Sequence, residues 1–119
     1  MFTEETIDKS IVWHINKLNE LGYKTEFSCS GLDRDHTFKN PTSGAYISFV
    51  ANLAPKLEQD IFRCSIDLGL EFRRIKQVFG NFTVAIYFKI YGDGQDEKIL
   101  LMWDKVVEYL QKCQFCEKI

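Results

Sequence analysis

Near the start of the chain Ile7, Ile11, Ile15 and Leu18 recur every three or four residues, with Val12 and Leu21 widening the stripe and Lys9, Lys17 and Glu20 opposite. That spacing gathers the apolar side chains on one face of an α-helix. Thr3 is placed to cap it, Glu4 and Glu5 complement the positive end of its dipole, and Gly22 is placed to end it after Leu21 in a left-handed conformation. From Lys24 the period falls to two. Thr25, Phe27 and Cys29 alternate with Lys24, Glu26, Ser28 and Ser30, which predicts a strand that buries the face carrying Phe27 and Cys29. Residues 31–44 read as a long polar loop with turn signals at Asn40-Pro41 and Ser43-Gly44. The stretch 45–50 is apolar on both parities and predicts a second strand covered on two faces.

Leu53, Leu57, Ile61, Cys64 and Leu68 then predict a second helix, with Asn52 as its N-cap, Pro55 in its first turn and Gly69 closing it. Residues 72–79 and 82–91 read as strands joined by a tight hairpin at Gly80-Asn81; Phe82, Val84, Ile86, Phe88 and Ile90 alternate most cleanly. Ile99, Trp103, Val106, Leu110 and Cys113 form the stripe of a third helix. The order α-β-β-α-β-β-α, with two strands after each helix, predicts an α+β fold: one mixed or antiparallel sheet with helices packed on it. At 119 residues the chain reads as a single domain, 1–119.

Seventeen acidic against fifteen basic side chains leave a net charge of -2, so any nucleic-acid or membrane contact must come from a local patch. With 45% hydrophobic and 27% charged residues the composition is globular and excludes a disordered or collagen-like chain. Its apolar runs fall short of the ~20 residues that span a bilayer. Acidic residues stand where a secretory signal needs positive charge, so the chain reads as soluble and cytoplasmic. In that compartment Cys29, Cys64, Cys113 and Cys116 read as free, mostly buried thiols. Cys113-x-x-Cys116 has metal-ligand spacing, but no second paired motif supplies the other two ligands of a tetrahedral site, and no metal is assigned.

Phosphate-loop, dinucleotide and zinc-protease motifs are missing from the sequence. Ser28-Cys29-Ser30-Gly31 stands out instead, because a strand breaking into a polar loop offers hydroxyls and free N–H groups to an anion or polar ligand. Asp35 and His36 follow in the loop, and a histidine is readily poised as a general base near neutral pH. The competing reading makes Cys29 a core residue, turns both serines outward and leaves Gly31 only a turn. Arg73, Arg74 and Lys76 put cations on both faces of the third strand, either toward ligand or RNA phosphate or as guards of a sheet edge. Most aromatic residues fall on apolar faces; Tyr46 and Tyr87 are the rings whose parity makes them candidates for exposed stacking surfaces.

Several stretches together resemble a known family. Ile11-x-x-x-Ile15-Asn16, Tyr23-x-Thr25-x-x-Ser28-Cys29-Ser30-Gly31, Ala45-Tyr-Ile-Ser-Phe49, Asp67-Leu-Gly-Leu-Glu-Phe-Arg-Arg-Ile75 and Val84-Ala-Ile-Tyr87 are similar, in the same order, to the tRNA wybutosine-synthesising methyltransferases and their short relatives. These are the third enzymes of that pathway. The resemblance covers most of the chain, and its specific part is the Ser-Cys-Ser-Gly stretch. It implies an α+β fold, S-adenosylmethionine as cofactor, and N-methylation of a modified guanosine, with tRNA or a nucleotide as partner. Ser28, Cys29, Ser30, Gly31, Asp35 and His36 would then line the ligand site, with Arg34, Arg73, Arg74 and Lys76 meeting phosphate. In the family an arginine usually follows this stretch; here Leu32 does, and Arg34 is the nearest guanidinium. The alternative is a non-enzymatic interaction or oligomerisation domain with the same fold.

Overall fold

Helix, two strands, helix, two strands, helix is the order of elements in the computed structural model, which describes residues 8–32, 45–76, 82–89 and 95–116. A 3-10 turn at Lys9–Ile11 leads into α1 (Val12–Glu20); β1 (Thr25–Cys29) and β2 (Tyr46–Phe49) follow. Next come α2 (Pro55–Asp67), β3 (Glu71–Lys76), β4 (Phe82–Tyr87) and α3 (Asp96–Cys116). The expected Thr3 cap, the Gly80-Asn81 hairpin and the loop residues after Leu32 lie outside the described residues.

The four strands form one sheet in the order β1-β2-β4-β3, every neighbouring pair antiparallel. Ile47 and Phe49 from β2 and Val84 and Ile86 from β4 join one buried cluster with Ile11, Ile15 and Leu18 near α1, Ile61 and Cys64 from α2, and Trp103, Val106 and Leu110 from α3. The fold is therefore α+β with its helices on one face of the sheet. Strand parity turns Tyr46, Ser48, Ala85 and Tyr87 to the opposite face. Among the described residues no helix is long and apolar enough to cross a membrane.

Two local expectations are corrected. Asn52 does not cap α2. It sits in a turn at φ 70, a region its side chain tolerates, and the cap is Ala54, whose carbonyl accepts from Leu57 and Glu58 N–H. Pro55 then occupies the first turn, where a missing N–H goes unnoticed. The second correction is in β1, where the pairing register shifts between Thr25 and Phe27. One extra residue reverses the parity of everything after it. Thr25 faces the helices as expected, but Ser28, paired with Ile47, faces them too, while Phe27 is 62% exposed and Cys29 pairs with Tyr46 on the far face. Ser48 holds the bulge: its Oγ accepts from Phe27 N–H at 3.2 Å and donates to Phe27 O at 3.3 Å.

Candidate functional site

The Ser28–Gly31 junction is built inward. Ser30 is fully buried; its N–H donates to Asp8 Oδ2 at 2.9 Å, its Oγ accepts from Leu32 N–H at 3.2 Å, and its carbonyl accepts from the Trp103 indole at 3.0 Å. One residue thus ties the end of β1 to α3 and to the start of the helical layer. Ser28 Oγ is buried with no hydrogen-bond partner among the described residues. Gly31 adopts φ 72, the left-handed region, against Ala45, and Leu32 lies fully buried in the core. Arg34, Asp35 and His36 lie outside the described residues.

The three cations of β3 separate by parity. Arg74 leans to the helical side, 3.5 Å from Glu58 of α2 and 4.6 Å over the Phe82 ring. It stands between two hollows along α2, one of about 270 Å³ beside Asn52 and Phe82 and one of about 440 Å³ beside Phe62 and Phe72. Lys76, two residues on, shares its parity. Arg73 turns to the other face and meets the rings.

There the register aligns Cys29, Tyr46, Tyr87 and Glu71 in one row across all four strands. The Tyr46 and Tyr87 rings stack, with centroids 5.4 Å apart and planes 22° from parallel. The Arg73 guanidinium lies 4.0 Å from the Tyr87 centroid, and its Nε donates to Glu71 at 2.7 Å. That bond holds the Glu71 carboxyl below its ordinary value and raises Arg73, with Lys89 also acting on Glu71. Burial pushes the Tyr46 hydroxyl up, reinforced by Cys29, Tyr87 and Asp8. Chemically the row is a half-buried π-surface with a fixed cation at one end, suited to flat rings.

Sequence reasoning singled out both tyrosines and Arg73 but missed Phe27 and Lys89. Lys89 continues the Tyr87 parity and was findable from it; Phe27 was hidden by the bulge. Elsewhere, Tyr23 donates to the buried Asp60 at 2.8 Å, Lys56 pairs with the same carboxylate at 2.8 Å, and His14 Nε2 stands 2.6 Å from Asp104 Oδ1. Among the described residues Cys29, Cys64 and Cys113 form no disulfide, and no group of three or more His, Cys, Asp or Glu could hold a metal ion. No family model, no curated protein and no solved structure matches the chain.

Proposed function

We propose that this chain is a nucleobase-binding domain that works through the face of its sheet opposite the helices. The stacked row of Tyr46, Tyr87 and Arg73 carries this reading. Every base has a π-face, and stacking on an aromatic ring is worth about 1–3 kcal/mol per base without sequence preference. The resemblance to the wybutosine methyltransferases supports S-adenosylmethionine, whose adenine is such a ring, as methyl donor, and a guanosine of tRNA as acceptor. On that reading the chain is a methyltransferase or a ligand-binding remnant of one.

Calorimetric titration with adenosine, adenosine monophosphate, adenosylmethionine and a short single-stranded RNA tests it. At least one ligand binds, and Tyr46→Ala weakens that binding by about 5- to 150-fold, the equivalent of one lost stack. Silence from all four at millimolar concentration, or an unchanged affinity in a folded Tyr46→Ala protein, overturns it. Phe27, 62% exposed, and Ile75, 36% exposed, lie on the same face and favour a second reading, self-association through the sheet. Sedimentation of a strict monomer removes that reading.

A further inference from the structure

β3 ends the sheet on the side opposite β1. It pairs with β4, and among the described residues no backbone group pairs with its outer side. Residues 73–76 are exposed. Next to this strand α2 carries Pro55, Gln59, Phe62 and Ile66, all exposed and uncharged, at a spacing (i, i+4, i+7, i+11) that sets them on one helix face. Phe62 meets Phe72 edge-on, with centroids 5.2 Å apart, and is still 46% exposed. The hollow of about 440 Å³ lined by Pro55, Gln59, Phe62, Phe72 and Arg74 runs along this seam. An unpaired strand edge beside an uncharged helix face is a place where another strand adds to the sheet.

The charges of β3 select which strand. A two-fold axis normal to the sheet pairs β3 antiparallel with its own copy and keeps each residue on its face, and since residues directly opposite share a face, the axis must pass through a residue. At Glu71, Arg73, Arg74 or Lys76 it sets a charge opposite its own copy, and at Ile75 it sets Arg74 opposite Lys76. At Phe72 alone every crossing is favourable: Glu71 lies opposite the copy's Arg73, Arg73 opposite its Glu71, and Phe72 opposite Phe72. The helical layer fits the same axis. α2 packs on both β3 and β4, and a helix seated between those strands stands two strand spacings, about 10 Å, from its copy, the usual distance of packed helices. Phe62, beside Phe72, then meets its copy at the axis. Phe72 lies toward the Glu71 end of the strand, away from the Lys76–Phe82 end, and β1 and β2 stand beyond β4, so β3 and α2 make the contact themselves.

We propose that the outer edge of β3, together with the Phe62 face of α2, is the interface of a two-fold dimer in which a second copy of this chain continues the sheet through an axis at Phe72. The basic residues that guard the edge against other registers leave this one open. The interface is separate from the aromatic row and does not depend on the nucleobase reading.

Analytical ultracentrifugation from about 1 µM to about 1 mM tests it. The wild type dimerises within that range. Glu71→Arg sets arginine opposite arginine at both charged crossings and Arg73→Glu sets carboxylate opposite carboxylate, so each variant alone dimerises about tenfold or more weakly. An equimolar mixture of the two associates about as well as the wild type, because every crossing is again opposite in charge. Phe62→Asp weakens the dimer about tenfold or more, and Tyr46→Ala leaves it within about twofold. Should a reversed variant fail to fold, amide hydrogen exchange of residues 71–73 in the wild type slows as concentration rises through the dimerisation range. A monomer throughout, reversed variants that dimerise like the wild type, a mixture that does not associate, or exchange at 71–73 independent of concentration overturns the interface. So does a dimer indifferent to Phe62→Asp and lost in Phe27→Ser, which lies on the open face of the sheet instead. Nucleobase binding is read separately by Tyr46→Ala, so neither failure implies the other.

Discussion

A Cβ added to Gly31 would lie 2.7 Å from both the backbone nitrogen and the Cβ of Ala45. No real side chain tolerates that approach, and Gly31 also holds φ 72, which disfavours any β-branched residue. The two penalties share a cause: the chain must pass close to the start of β2 immediately after leaving β1. Gly31→Val should lose about 1–3 kcal/mol to backbone strain and a similar amount to the clash, read as a lower denaturant midpoint with unchanged slope. A loss under about 0.5 kcal/mol, the range of ordinary surface sites, would show that the close approach is absent in solution.

Ser28 and Ser30 should respond oppositely to alanine. Removing the Ser30 hydroxyl strands the Leu32 N–H in a buried setting, a cost of about 1–3 kcal/mol. Removing the Ser28 hydroxyl takes away a buried oxygen that has no partner among the described residues, so Ser28→Ala should be neutral or stabilising. Parallel urea titrations of the two variants decide it. Equal losses at both positions would mean that Ser28 has a partner or that Ser30 does not need its own.

The contrast marks how far the sequence reaches. Apolar periodicity located the three helices, β1 and β4 because each buries one face on a single core, and period follows from that burial. β2, in contrast, was legible only as a short run of β-formers apolar on both parities and read as covered on two faces, though the helices cover one. In β1 the written alternation from Thr25 to Cys29 looks regular, yet the bulge reverses it after Glu26, and a bulge leaves no mark in a pattern of apolar and polar residues. The serines read as outward are inward for that reason. Tyr46 and Tyr87 were legible as ambiguous rings; that they stack required the register of two strands far apart in sequence. Arg73 and Arg74 show the same limit, since parity separated them but only α2 and Tyr87 determined what each would touch.

Tyr23 hands its hydroxyl proton to hydrogen bonding with Asp60, a carboxylate 2% exposed whose other oxygen meets Lys56. The pair joins the turn between α1 and β1 to α2, and the same hydroxyl reaches toward the Leu110 carbonyl of α3 at 3.4 Å. Tyr23→Phe keeps the ring in the core and leaves one buried carboxylate oxygen without its donor. A loss of about 1–3 kcal/mol follows. If Asp60→Asn relieves part of the loss when combined with Tyr23→Phe, the two residues couple directly, and additive losses would instead place their effects in separate networks.

Alkaline pH should weaken the fold through groups that hold their protons more tightly when folded. Burial pushes the Cys64 thiol up from 9.0 to about 12, with Cys113 and Asp67 adding to it. The hydrogen bond to Asp67 is the main cause that pushes the Tyr109 hydroxyl up from 10.0 to about 12. Burial moves Tyr23 in the same direction. For a raised value the folded state binds the proton at a pH where the unfolded state has released it, so stability falls as pH rises. Their contribution is complete below pH 9.0 and is lost progressively toward about 12, so urea midpoints should decline from about pH 9 upward. Cys64→Ala should start from a lower midpoint, because a buried side chain is truncated, and should decline less steeply between about pH 9 and 10. In the native protein Cys64 should stay unreactive toward a thiol reagent at about pH 8 and react once urea unfolds the chain. A midpoint flat through about pH 11, or a wild-type slope identical to that of Cys64→Ala, would contradict the assignment of this thiol to the interior.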